Sequence, residues 1–287
     1  MLSRRKFIKQ SAVFGLGIAF LPAIDLKAAK NSNRLVILHT NDFHSRFEPF
    51  PENHRKWPNK GGISRLTSLI EKVRDENEHL LLLDSGDVFQ GTPYFNIFKG
   101  HPELEWIQKM NYDATTIGNH DFDLGIDHLA EIRSHYHTPT LNCNYKINHL
   151  GLKELIKPYK IIQKGPLKIG ITAVGIELQG LLAPSAYKGL TYQDPTEELQ
   201  KTVNTLRNNK GCDFVIVLSH LGYSYESNKI DDLKLAKNTK GIDLILGGHT
   251  HTFLDKPTKI INQEGKTVLV NQAGWAGIEL GQIIFTY

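Results

Sequence analysis

The stretch "ATTIGNHDFDLG", residues 114–125, sets four polar side chains, Asn119, His120, Asp121 and Asp123, directly behind a short apolar run. The run reads as a buried strand, and the polar cluster as what that strand delivers at its end. The pattern recurs along the chain. "RLVILHT" (34–40), "HLLLLDS" (79–85), "DATTIGN" (113–119), "LKIGITAVG" (167–175), "DFVIVLSH" (213–220) and "IDLILGG" (242–248) all read as buried strands. Five of them lead into "HTNDFH", "DSGD", "GNHDFD", "SH" and "GGHTH". Ligands and reacting groups of open α/β folds gather outside the carboxyl ends of strands, so five such clusters point to one shared edge.

Amphipathic stretches lie between the strands. "GISRLTSLIEKVRDEN" (62–77) carries Ile63, Leu66, Leu69, Ile70 and Val73 on one helical face, and "PTEELQKTVNTLRNN" (195–209) opens with proline and acidic residues, as helix starts do. Residues 125–136 and 228–238 show weaker helical patterns. Near the end, "KTVLVNQAG" (266–274) and "GIELGQIIFTY" (277–287) alternate like antiparallel strands separated by Gly274 and Gly277. The sum is an α/β protein built on a mixed sheet system.

The N-terminus is separate. "SRRKFIKQSAVFGLGIAFLPAI" (3–24) places Arg4, Arg5, Lys6 and Lys9 before an apolar stretch, with Ala28 and Ala29 beyond it. This describes an export signal over residues 1–29, and paired arginines before Lys6 and Phe7 resemble the twin-arginine type. An ordinary secretory signal or an uncleaved membrane anchor is the competing reading, because Asp25 and Lys27 crowd the cleavage region. Export to the periplasm is the expectation. The signal also carries the net charge of +4, since residues 30–287 hold 29 basic and 29 acidic residues. That balance removes the electrostatic case for a nucleic-acid polymer as partner. Cys143 and Cys212, 69 positions apart, offer neither a disulfide framework nor a thiolate metal site, and read as isolated buried thiols, with a single bridge in an oxidising compartment as the alternative.

Asp42 and His44 are two apart, so in extended chain their side chains would point the same way, and His249 and His251 repeat that spacing. Asp87, Asn119 and His220 add donors from three other strand ends. Seven donors exceed one four-coordinate ion and suit two ions sharing a bridging carboxylate. Nitrogen and oxygen donors without cysteine favour zinc, manganese or iron over magnesium or calcium. Two divalent cations offset by two aspartates leave a positive cleft for a hydroxide and a phosphate dianion. Each residue also has a plain reading: strand-end surface histidines, a capping Asp42, a turn Asn119, and Asp84 as a turn residue supporting Asp87. His220 beside Ser219 is no dyad, since neighbours in extended chain point apart. His120 would turn away from Asn119 toward the open face, and Asp123 could accept from its ring and raise its basicity. Asp121 is left to order the turn, and the other eight histidines read as surface or structural.

"HTNDFHS", "GGISRL", "DSGDVFQGTPYF", "TIGNHDFDLG", "VIVLSHLGY" and "ILGGHTHTF" together resemble the calcineurin-like metallophosphoesterases, and within them the catalytic domain of the 5′-nucleotidase and UDP-sugar hydrolase family. The resemblance implies a four-layer αββα sandwich of two mixed sheets flanked by helices, with residues 30–287 as a single catalytic domain. It implies that Asp42, His44, Asp87 and His251 hold one metal, and that Asp87 bridges to a second completed by Asn119, His220 and His249. His120 and Asp123 match the family's non-ligand pair, which stabilises the transferring phosphoryl group or protonates the leaving oxygen. The implied activity is two-metal hydrolysis of phosphate esters, nucleotides first, by metal-activated hydroxide.

The chain stops at "IELGQIIFTY", about where this family's catalytic domain gives way to a C-terminal domain that binds the base. Two expectations follow: action alone on small phosphoesters, or a separate chain supplying that domain in trans. Residues 46–60, "RFEPFPENHRKWPNK", read as a solvated surface loop, with a substrate loop as the alternative. His251 stands where some nucleotidases place an amide, which fits the broader phosphoesterase pattern. Two other functions compete: a thiosulfohydrolase-type relative of sulfur oxidation, and a non-catalytic metal-binding subunit.

Overall fold

The structure is a computed structural model and describes residues 31–287. The export signal expected over residues 1–29 lies outside the described residues. Fourteen strands are seen among them: β1 (Asn31–Thr40), β2 (Asn77–Asp84), β3 (Ala114–Thr116), β4 (Thr140–Leu141), β5 (Tyr145–Ile147), β6 (Ile156–Lys157), β7 (Tyr159–Lys164), β8 (Leu167–Gly175), β9 (Leu190–Tyr192), β10 (Phe214–His220), β11 (Leu244–Gly247), β12 (Thr258–Ile261), β13 (Thr267–Asn271) and β14 (Gly281–Thr286). The helices are α1 (Ile63–Glu76), α2 (Pro93–Phe98), α3 (His101–Lys109), α4 (Ile126–Ser134), α5 (Leu150–Lys153), α6 (Pro195–Asn204) and α7 (Asp232–Asn238).

Alternation along the strands sets the layers. In β1, Leu35 and Ile37 meet Ile169, Ile171, Ile216, Leu218, Leu244 and Leu246 of a second sheet, while Val36 and Leu38 face helices. In β10 the same parity sends Ile216 and Leu218 inward and Val215 and Val217 toward Leu199 and Val203 of α6 and Leu235 of α7. Each sheet is therefore covered on both faces, which is why its strands read as continuous apolar runs. The first sheet has the order β14-β1-β2-β3-β4-β6 and the second β12-β13-β11-β10-β8-β7. Helices α1, α3 and α4 cover the outer face of the first. The expected four-layer αββα sandwich is what forms.

Parallel pairing sets the functional edge. Strands β1, β2, β3, β4 and β6 run parallel, as do β8, β10, β11 and β13. The two sets end at the same end of the sandwich, where Ser85 Oγ, just past β2, donates to Leu246 O of β11 at 2.8 Å.

Local chemistry explains most boundaries. Pro195 opens α6, and the Asp194 carboxylate accepts from Thr196 and Glu197 N–H at 2.8 and 2.9 Å. The helix expected over 195–209 ends at Asn204 and continues as a π-helical turn over Thr205–Asn209. Asp231 caps α7 by accepting from Lys234 N–H at 2.8 Å, which starts that helix at 232 rather than 228.

Two expectations need correction. The strand read over 113–119 is only Ala114–Thr116, because the chain then turns to present its polar residues. Residues 266–274 and 277–287 do not pair with each other. Strand β13 runs parallel to β11 in the second sheet, and β14 runs antiparallel to β1 in the first. The glycine-rich segment between them crosses from sheet to sheet. The 46–60 loop is largely solvated, as expected, with Arg55 and Lys60 exposed, and is pinned by the buried Phe50 and by Trp57, which stacks on Phe253 at 4.9 Å. Helices α2 and α3, opened by Pro93 and Pro102, were not expected from periodicity. Both cysteines are free thiols.

Leu81 lies wholly buried between the sheets. Replacing it with alanine is expected to lower stability by about 2–5 kcal/mol. The exposed Leu150→Ala change should stay within about 0.5 kcal/mol. Urea unfolding midpoints of the two variants check the contrast.

Candidate metal centre

The residues after β1 and β2 form two loops zipped together by backbone hydrogen bonds. Asp42 N–H donates to Gly86 O at 2.9 Å, His44 N–H to Asp87 O at 3.1 Å, and Ser45 N–H to Val88 O at 2.9 Å. Zipping them demands left-handed backbone. Asp42, His44 and Asp87 have φ of 50°, 50° and 55°, and His249 and His251 have 72° and 51°. Aspartate and histidine are among the few non-glycine types that enter this region, at a cost in strain. The extended geometry expected for Asp42 and His44, and for His249 and His251, is therefore wrong, yet their side chains still converge.

They converge as two groups. Ligand atoms of Asp42, His44 and His251 lie within 4.8 Å of one another, as do those of Asp87, His220 and His249. In the first, His251 Nε2 is 3.0 Å from His44 Nε2 and 3.4 Å from Asp42 Oδ1. In the second, His220 Nε2 is 3.0 Å from Asp87 Oδ2, and Asn119 Oδ1 is 2.8 Å from His249 Nδ1. The groups interlock: His249 N–H donates to both oxygens of Asp42, at 3.0 and 2.9 Å. All seven residues expected as ligands thus come together.

Electrostatics follow from burial. Asp42 and Asp87 are essentially inaccessible, at 0% and 1% exposure. Burial alone would raise Asp87, but the imidazoles of His220, His44 and His120 outweigh it and hold the carboxyl ionised, below the usual range. Burial lowers His44, and lowers His249 to about 4, which leaves His249 neutral at pH 7 with a lone pair to offer; at His220 burial is outweighed by the Asp87 carboxylate, which raises the imidazole to about 10, so a cation bound there must displace its proton.

Three observations fit cations here. His220 Nε2 is buried 3.0 Å from Asp87 Oδ2 with no hydrogen bond of acceptable angle, which leaves both atoms free to share a cation. Two imidazole nitrogens at 3.0 Å, His44 and His251, likewise present donors to one place. Glycine also keeps the space clear. A Cβ on Gly118 would stand 2.1 Å from Asp87 Oδ1 and 2.6 Å from His220 Nε2, and one on Gly248 2.9 Å from His220 Nδ1. Nitrogen and oxygen donors without sulfur suit a first-row divalent ion.

His120 and Asp123 sit at the open edge. Asn119 is helical rather than extended, and His120 begins a 3₁₀ turn over His120–Phe122, which swings its ring outward. His120 N–H donates to Asp87 Oδ1 at 2.8 Å, and Nδ1 lies 3.0 and 3.2 Å from the Asp123 oxygens. The Asp123 hydrogen bond raises the imidazole above its ordinary value, against the opposing effect of burial. Asp121 accepts from Gly118 N–H at 2.7 Å, as a turn residue would. Asp84 accepts from Thr40 Oγ1 and Gly86 N–H, and burial raises its carboxyl to about 7.

Two contributors escaped the sequence reading. Asn41 donates from Nδ2 to Asp42 Oδ2 and to Gly274 O, each at 2.6 Å, and accepts from Ala273 N–H at 2.9 Å. It stands inside "HTNDFH", and its position beside Asp42 was the available signal. Trp275 stacks on His251 with ring centroids 5.1 Å apart and planes 6° apart; nothing in its local sequence marks it.

Comparison with known proteins places this architecture. The chain is 34% identical over 279 residues to the snake venom 5′-nucleotidase of Crotalus adamanteus, covering 90% of this chain and 46% of that one. It is 34% identical to the 5′-nucleotidase of Bos taurus, covering 87% and 46%. The solved 5′-nucleotidase precursor of Thermus thermophilus superposes with a TM-score of 0.79 at 34% identity, covering 88% of this chain and 51% of that one. The chain spans about half the length of these relatives. The model of the calcineurin-like phosphoesterase family, whose members use a dinuclear divalent metal site, matches residues 35–253, and the chain belongs to that family.

Proposed function

We propose that the chain hydrolyses phosphate monoesters, nucleoside 5′-monophosphates first among them, at a centre of two divalent cations. The carrying observation is the pair of interlocked donor groups with a histidine–carboxylate pair at their open edge. Asp42, His44 and His251 would hold one ion, and His220, His249 and Asn119 the other, with Asp87 between them. Zinc, manganese and iron suit these donors. Bound there, the ions supply Lewis acidity toward a phosphoryl oxygen and a water acidic enough to react at neutral pH.

The remaining chemistry belongs to His120 and Asp123. Asp123 accepts from Nδ1, which fixes the tautomer and leaves Nε2 to the substrate. With its affinity for a proton raised, Nε2 holds one for the leaving oxygen and steadies the transferring group. The backbone bond from His120 to Asp87 keeps the ring at a set distance from the donor groups.

The nucleotide assignment rests on likeness to 5′-nucleotidases, and the exported location on the twin-arginine-type pattern of residues 1–29. No helix among the described residues is long and apolar enough to cross a membrane. Supply of a nucleotidase-type domain by a separate chain is a secondary reading, and full AMP turnover by the purified chain removes its motive.

His120→Ala is expected to lower kcat toward AMP by about 10²–10⁴-fold with cation content unchanged. Metal analysis beside a steady-state assay checks this, and equal activity in both proteins would refute the assignment. A panel of nucleotides, cyclic nucleotides, UDP-sugars and thiosulfonates decides the substrate. Turnover of thiosulfonates alone transfers the chain to the thiosulfohydrolase reading; two bound ions without turnover make it a binding subunit.

Gly118→Ala puts a methyl group among Asp87 and His220, and should cost the Asp87–His220–His249 ion while the fold persists. Cation stoichiometry falling to one equivalent, with an unchanged circular dichroism spectrum, is the expected result. Replacing Arg4 and Arg5 with lysine should leave the chain unexported in cell fractionation.

A further inference from the structure

The histidines of the centre are not held alike. His44 Nδ1 donates to Phe89 O at 3.1 Å and His220 Nδ1 to Ser85 O at 2.7 Å, so each ring presents Nε2 inward in a set orientation. Such partners on the outer nitrogen orient a metal-binding histidine and tune its basicity. His251 has no such bond: among the described residues its Nδ1 meets no hydrogen-bonding protein group. Its ring lies instead parallel to the indole of Trp275, 5.1 Å away and 6° from coplanar. Trp275 also presents an edge to His44 at 6.3 Å and to Phe50 at 5.6 Å.

The indole is itself firmly set. The residues flanking it are tied to the donors: Ala276 N–H donates to Asp42 O at 2.8 Å, and Gly274 N–H to Thr252 O at 2.9 Å, beside His251. Asn41 Nδ2 donates to Gly274 O as well as to Asp42. Behind this segment, Phe253 packs against Gly274, where a Cβ would stand 2.2 Å from its ring. Trp57 stacks on Phe253, and the Lys56 ammonium covers Trp57 at 5.0 Å. These partly buried rings pack on one another and brace the wall behind Trp275.

We propose that Trp275 is a positioning residue for the cation of the Asp42–His44–His251 group. It does by stacking what a carbonyl does for His44 and His220. A stacked face limits rotation of His251 about its side-chain bonds without consuming its outer nitrogen. The proposal rests on the two-cation reading, and separates the groups: Trp275 acts on the first ion and not on that of Asp87, His220 and His249.

The test uses the full chain freed of metal and titrated with cobalt(II), following tryptophan emission and bound equivalents. The chain has three tryptophans, and Trp106 is buried in the core against Phe43. Trp275 is therefore the reporter: wild type should lose emission as the first-group ion binds, Trp275→Phe should lose that response, and Trp57→Phe should keep it. Trp275→Ala should weaken one of two equivalents by about 10–100-fold and leave the other alone, while Trp275→Phe, which can still stack, restores most of the affinity. Unchanged affinity for both equivalents in Trp275→Ala, or equal quenching in Trp275→Phe, overturns the proposal alone. Failure of wild type to bind two equivalents overturns the two-cation reading, and the proposal with it. If Trp275→Ala does not fold, Trp275→Leu, which fills the wall without a stacking face, takes its place in the titration.

Discussion

Two aspartates with no access to water sit where the strand ends of both sheets meet, and the rest of the architecture answers to them. A carboxylate taken from water is tolerated only if donors or positive charge meet it. Asp42 receives the His249 N–H on both oxygens and the Asn41 amide on one. Asp87 receives the His120 N–H and faces the His220 imidazole. Those partners come from the ends of β1, β3, β10 and β11, so satisfying two carboxylates draws four strand ends from two sheets to one point. The parallel pairing that lets all these ends share an edge is thus a requirement of the site as well as of the fold.

Meeting that requirement bends the chain out of its preferred conformations. Five of the seven candidate ligands have left-handed backbone. The strain is offset by hydrogen bonds that could not otherwise form, as in the three between the loops after β1 and β2. Glycine completes the arrangement where even a methyl group would intrude, at Gly118 and Gly248. The inter-sheet core, with Leu81, Ile216 and Leu246 buried between the sheets, holds the two halves of the site in register.

Much of this was legible because burial on both faces and chemistry at one edge leave strong marks. Continuous apolar runs followed by aspartate, asparagine and histidine located the strands, the edge and all seven candidate ligands. What was not legible was geometry that depends on distant partners. Alternation in residues 266–287 marked two strands correctly but not their sheets, because pairing is decided by β1 and β11 far away in sequence. Spacing of two suggested that Asp42 and His44 share a side; they share a site through a turn that no periodicity encodes. Helices α2 and α3 are short and hold their apolar residues against sheet and loop rather than in one long stripe. Trp275 has no motif at all, and its place emerges only when β13 and β14 are seen to belong to different sheets, with the connecting segment crossing the site.

On the proposed function the same side chain would serve two chemistries here, with its partner deciding which. His44 and His220 give Nδ1 to backbone carbonyls, which orient the ring and add no charge. His120 gives Nδ1 to the Asp123 carboxylate, which orients the ring and raises its hold on a proton. Exposure follows the same division: the side chain of His220 is wholly buried, while that of His120 is 35% exposed, where a substrate's leaving oxygen would approach. A buried imidazole oriented by a carbonyl suits a cation, and a partly exposed one with a carboxylate behind it suits a proton. His251 belongs to neither arrangement. Among the described residues its outer nitrogen has no protein partner and its ring is held by an aromatic face, so packing rather than a hydrogen bond would orient it as a ligand.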